Sequence, residues 1–195
     1  MSGTYDEEVI HIRTIRAEVV KVADDEIEVA GRLVDDRPGD GPRWFDVRQD
    51  GTVHDMTLTI RVRHPDLTIT AASASMATHP YTICPDALPA VQQLVGLSVA
   101  HGFTRAVNER LGRRNGCSHF TALVHAMGPV VRQGAGAAFR DENRLPSADE
   151  CLWWVNTCHA WRDDGPLMDR LRANDVEGLK KLSARGSQLP RGLDR

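Results

Sequence analysis

The sequence predicts an α+β domain, an N-terminal antiparallel β-sheet covered by C-terminal helices. Two observations predict it. In the first half apolar and polar residues alternate, the period of a strand with one buried face; Met56, Leu58, Ile60 and Val62 against Thr57, Thr59, Arg61 and Arg63 is the strongest run. In the second half apolar residues return every three or four positions, as Phe120, Val124, Met127 and Val131 do, which is the period of a helix with one buried stripe. Strands first and helices after is the order of an α+β chain rather than of alternating βα units.

Residues 1–8 are expected to be disordered. Val9 to Val22 alternates in part, and Ile10, Ile12 and Thr14 would share a face. Asp24-Asp25 makes a turn, and Ile27, Val29 and the segment to Val34 pair back as a hairpin. Pro38-Gly39-Asp40-Gly41-Pro42 is a loop. After the strand through Val62, His64-Pro65-Asp66 turns the chain, and Leu67, Ile69 and Ala71 return beside it.

A first helix begins near Pro85-Asp86, carries Leu88, Val91, Leu94 and Val95, and ends near Gly96. A second covers Val99 to Leu111, closed by Gly112 and Arg113-Arg114, and a third starts at Cys117-Ser118. A fourth opens with the capping box Ser147-x-x-Glu150 before Cys151-Leu152-Trp153-Trp154. Leu167 to Leu182 reads as a surface helix followed by a loose tail to Arg195. Residues 9–165 are thus expected to form one domain, with 166–195 as a helix and tail.

Composition excludes several classes. At 195 residues the chain is long enough for a core without staples. A net charge of -3 and the lack of a basic stripe with interleaved aromatics argue against nucleic acid. No run approaches the ~18 apolar residues of a membrane span. The start MSGTYDEEV lacks the basic and apolar regions of a signal peptide. The expected place is the cytoplasm, where the four cysteines stay reduced and serve as core, catalytic or metal-binding groups.

Three segments put soft or borderline metal ligands at the ends of predicted elements. His54-Asp55-Met56 opens a strand, and Cys84-Pro85-Asp86 and Gly116-Cys117-Ser118-His119 each open a helix. A cysteine at a helix N-terminus meets free N–H groups and the positive end of the helix dipole, which favour thiolate. Two such cysteines and a histidine suit one Zn or Fe ion. The predicted ligands are His54, Cys84 and Cys117, with His119 as a fourth candidate. Asp55 is the candidate base or the group that orients His54, and His119 is the next acid/base if it is not a ligand.

Against this, each of these residues has a plainer reading. Cys84 and Cys117 taken singly fit small core positions, and Asp86 fits a helix cap. Cys151 and Cys158 fall on one face of a Trp-rich helix and read as core. Trp153, Trp154 and Trp161 are expected to pack against the sheet, or to wall an apolar pocket. Tyr81 is either a pocket hydroxyl or a core ring. His101 and His125 carry no assigned role.

At the same residues the chain resembles a bacterial family of unknown function. That family has a His-x-Met strand opening, a Pro-x-x-x-Cys step and Gly-Cys-Thr-His-Leu at a helix start. Here they stand as His54-Asp55-Met56, Pro80-Tyr81-Thr82-Ile83-Cys84 and Gly116-Cys117-Ser118-His119-Phe120. The resemblance spans roughly residues 9–162, and Ser118 and Phe120 are its departures. More distantly the chain is similar to IscU-type iron–sulfur cluster scaffolds. That similarity implies ligands near His54 and on Cys84 and Cys117, with Thr52 in place of the first cysteine and Gly116 in place of a histidine. Two cysteines instead of three favour one mononuclear ion.

The leading expectation is a metal-dependent enzyme acting on a small, partly apolar carbonyl compound. Three alternatives stay open: a metal or cluster carrier without catalysis, a metal-free cysteine enzyme using Cys117 with His119, and a purely structural zinc site. Self-association is compatible with all of them.

Overall fold

The computed structural model describes residues 9–39, 43–44, 47–48, 50–140, 147, 150 and 153–183. The chain divides into two compact units, Met1–Phe139 and Arg140–Arg195.

The first unit is the predicted sheet followed by helices. Strands β1 (Ile12–Lys21), β2 (Glu26–Arg37), β5 (Gly51–Arg63) and β6 (Thr68–Thr78) form an antiparallel sheet in the order β1-β2-β5-β6. Between β2 and β5, β3 (Arg43–Trp44) and β4 (Val47–Arg48) make a separate two-stranded ribbon, too short to show as a periodic pattern. Pairing places Val29 between Val19 and Ile60, and Leu33 between Ile15 and Met56. Directly paired residues share a face, so Ile27, Val29, Leu33, Met56, Leu58, Ile60 and Val62 form one continuous, fully buried surface.

Helix α2 (Ser118–Ala138) crosses that surface over β1, β2 and β5. Its i, i+4 row Leu123, Met127, Val131 and Ala135 is buried. Two glycines let it come close. A Cβ at Gly31 would stand 2.7 Å from Met127 Sδ and 3.0 Å from a Leu123 methyl, and a Cβ at Gly134 would stand 2.6 Å from Val19 Cγ1. Leu123 therefore sits over the middle of β2, and the N-terminus of α2 points to the end of the sheet where β2 finishes.

The predicted first helix is a 3-10 helix, Cys84–Leu94, with Pro85 in its first turn and Pro89 inside it. Proline has no N–H to give to an i−4 carbonyl, which favours the tighter form. Val91 and Leu94 are buried as expected. Helix α1 (Phe103–Leu111) starts four residues later than expected, after Gly102 at φ 63°.

In the second unit the capping box is present. The Ser147 N–H donates to Glu150 Oε2 (2.8 Å) and the Glu150 N–H donates to Ser147 Oγ (3.2 Å). The described residues that follow, from Trp153, form turns rather than the expected helix. Trp154 stacks between Trp153 and Trp161, at 4.7 and 5.6 Å between ring centroids. Trp154, Val155, Trp161 and Leu179 pack on buried Met168 and Leu171. Cys158 is exposed, not core, and Cys151 lies outside the described residues. The expected single tail helix is two, α3 (Pro166–Arg172) and α4 (Val176–Leu182). Asn174 at φ 52° breaks it, and the Asp175 side chain caps α4 by accepting from the Gly178 N–H.

Candidate metal centre

One charged residue, Asp35, is completely buried among the described residues. It continues the core row of β2, two positions beyond Leu33, so alternation sends its side chain inward under α2. Its partners come from three other places. Across the β1 pairing lies Arg13, and across the β5 pairing lies His54. His119 is one turn before Leu123 on the row of α2 that faces the sheet. Beyond this level the ladder is irregular: register slips fall between Asp35 and Asp36 on the β5 side and between Asp55 and Met56 on the β6 side. Such bulges end regular pairing and re-aim side chains next to a site.

Five contacts converge on the Asp35 carboxylate. Arg13 donates from Nε to Oδ1 (2.7 Å) and from Nη2 to Oδ2 (2.8 Å). His11 Nε2 is 3.3 Å from Oδ1. On the inner side, His54 Nδ1 lies 3.0 Å and His119 Nε2 3.4 Å from Oδ2. The two imidazoles lie nearly over one another, with ring centroids 3.7 Å apart and planes at 33°. One ligand atom from each of Asp35, His54 and His119 can be chosen so that all lie within 4.8 Å of one another. The 3.0 Å approach of His54 lacks the alignment of a hydrogen bond, so Nδ1 is a buried ring nitrogen without a hydrogen-bond partner.

Electrostatics set the protonation states. The hydrogen bonds from Arg13 outweigh burial and hold the Asp35 carboxyl down to about 2. Burial pushes His119 down to about 4, helped by His54 and Arg13 and opposed by Asp35. Burial also lowers His54 against the pull of Asp35. At neutral pH the carboxylate is ionised and both rings are neutral, the forms that bind a cation.

This arrangement gives the metal-free protein an acid sensitivity of known sign. The unfolded chain takes a proton on its histidine before folded His119 does, so stability is complete above pH 6.5 and falls as pH drops toward 4. The loss through His119 is about 3 kcal/mol. Urea unfolding of chelator-treated protein across that range, against His119→Asn, checks it: the substitution should flatten the slope by about one proton.

Of the predicted ligands, His54 and His119 meet at Asp35. Cys117 comes near through His119, with Sγ 3.5 Å from Nδ1. The helix begins at Ser118, and Cys117 is its extended N-cap (φ −103°, ψ 131°), which lets two residues that would diverge inside a helix converge. Cys84, at the start of the 3-10 helix, is not in the cluster. Asp55 is not poised beside His54. It is the next residue along the strand and takes the opposite face, where Arg32 donates to both its oxygens (2.8 and 2.7 Å). His79 Nδ1 meets the Tyr81 carbonyl oxygen (2.8 Å), Tyr81 is exposed, and His125 Nε2 meets Asn108 Oδ1 (2.9 Å). Asp35, Arg13 and His11 were outside the predicted set.

A family model described as a protein of unknown function, DUF2889, matches residues 11–133. The chain belongs to the DUF2889 family. The matched DUF2889 segment starts at His11 and ends within α2, so it contains every group named around Asp35. No curated protein and no solved structure matches the chain. Among the described residues no helix is long and apolar enough to cross a membrane.

Proposed function

We propose that the protein holds one transition-metal ion, Zn or Fe, on His54 Nδ1, His119 Nε2 and Asp35 Oδ2, and works as an enzyme on a small, partly apolar carbonyl compound. The observation that carries this reading is the unpartnered His54 Nδ1, buried beside an ionised carboxylate and a second neutral imidazole. A cation among the three would satisfy that nitrogen, and a carboxylate oxygen has room for it beside the Arg13 hydrogen bond. Two imidazoles and a carboxylate leave coordination positions for water or substrate. An ion so held polarises a carbonyl or lowers the pKa of bound water.

The chain's own groups divide the remaining work. Arg13 fixes the Asp35 carboxylate from the half-exposed side. His11, more exposed still, stands at the same opening. Leu33, Met56 and Leu123 continue the rows of Asp35, His54 and His119 into the core and give the site an apolar floor. On this reading Cys117 accepts from His119 Nδ1–H, 3.5 Å away, and leaves Nε2 bare toward Asp35, the role that a ligand's outer partner performs.

One observation favours a second reading, a metal-free thiol enzyme. Cys117 Sγ, His119 and Asp35 also form a line of nucleophile, base and orienting acid, at 3.5 and 3.4 Å. It needs the opposite tautomer, with Nδ1 bare toward sulfur and Nε2–H donating to Asp35. Titration with zinc separates the two. On the metal reading the purified chain binds one equivalent, and Cys117→Ser still binds one equivalent, about 10- to 100-fold more weakly. Failure of the wild type to bind stoichiometric zinc or iron, with fast alkylation of Cys117 at neutral pH, decides for the thiol enzyme.

A further inference from the structure

We infer that the outer edge of β1 is the contact between two copies of this chain, which join antiparallel about Ala17 into one eight-stranded sheet. The only hydrogen-bonded neighbour of β1 among the described strands is β2. Its other edge therefore presents a row of unpaired backbone donors and acceptors along ten residues. Natural edges are usually short, bulged or heavily charged. This one carries Arg13, Arg16, Glu18 and Lys21 but is long and regular, and it exposes Ile12 (45%), Ile15 (39%), Val20 (53%) and, just past its end, Val22 (42%).

Symmetry and charge select the partner and the register. Two copies that pair edge to edge antiparallel are related by a two-fold axis normal to the sheet, so one residue must face itself. If that residue is Ala17, Arg16 faces the partner's Glu18 and Glu18 faces the partner's Arg16. Ile12 then faces the partner's Val22, and Thr14 faces the partner's Val20. At the middle of the outer face the Arg16–Glu18 ion pair that each copy already holds thus meets the opposite charges of its partner, and an apolar pair forms at each end, cross-strand contacts of the kind that stabilise sheets. Moving the axis one residue either way sets Arg16 against the partner's Arg16, or Glu18 against the partner's Glu18.

The helix-covered face fits the same register. Ile15 falls opposite the partner's Val19. Val19 lines an open groove of about 480 Å³ between β1 and α2, with Val130, Gly134, Ala137 and Ala138 and the polar Lys21 and Gln133. A half-exposed isoleucine from one copy thus meets the apolar part of a groove on the other. Arg13 faces the partner's Lys21 there, but its charge is already held by Asp35.

Because each copy supplies both members of the ion pair, charge swaps test the register directly. Sedimentation of the full chain should show a dimer. Arg16→Glu should weaken it about 30-fold or more with an unchanged circular dichroism spectrum. So should Glu18→Arg. The double variant R16E/E18R should dimerise as the wild type does, and mixing the two single variants should give the heterodimer. A monomeric wild type, leaving the edge to a foreign strand or to another part of the chain, overturns the proposal. So does an Arg16→Glu chain that dimerises normally, or a mixture that stays monomeric.

Discussion

Alanine at His54 or at His119 is expected to lower zinc or iron affinity by about 100-fold or more, while His11→Ala changes it little. His54 and His119 each place a ring nitrogen on the inner side of Asp35, at 3.0 and 3.4 Å from the same carboxylate oxygen. His11 reaches only the outer oxygen and is 41% exposed. Competition with a chromophoric chelator measures the affinities, and circular dichroism establishes that the variants are folded. Wild-type affinity in either inner variant would remove the proposed centre, because three donors cannot become two without a large loss.

The largest stability effect is expected at Arg13. Arg13→Met leaves the Asp35 carboxylate fully buried with its charge unmatched, which costs about 3 kcal/mol. Protonation of Asp35 or of a neighbouring histidine limits the cost, and Arg13 itself is partly solvated. The double variant R13M/D35L should recover most of the loss or exceed the wild type, because a leucine at 35 extends the apolar row of Val29 and Leu33 and no ion is left to bury. Urea midpoints at neutral pH measure all three proteins. Equal loss in the single and the double variant would mean that the ion pair itself stabilises the fold. Recovery would mean that stability does not require a charge at 35, and that its presence there serves the site.

The elements legible in the sequence were those with unbroken periodicity. Met56 to Val62 alternates without interruption, and Phe120 to Val131 keeps one helical stripe. Burial follows both patterns. Elsewhere local chemistry overrides the period. Prolines at 85 and 89 favour a 3-10 helix, Gly102 delays α1, and Asn174 with Asp175 splits the tail helix.

The candidate site was half legible for a related reason. His54 and His119 stood out as ligand types at element ends. Asp35 does not, because the pattern predicts the strand only to Val34. Its signal was the parity of Ile27, Val29 and Leu33, which places 35 on the buried face. Arg13 and His11 become visible only once β1 is registered against β2, which no local pattern specifies. Asp55 was chosen for adjacency to His54, yet adjacency along a strand puts two side chains on opposite faces.

Gly31 has a reach beyond its own position. It lets Met127 and Leu123 settle on β2, and His119 stands two turns back along the same helix, about 12 Å from Met127 at the usual rise. The seating of α2 on that glycine helps to fix the span between His119 and Asp35. If the proposed centre holds an ion, core packing far from the donor atoms would bear on which ion fits, together with the identity of the groups that hold it.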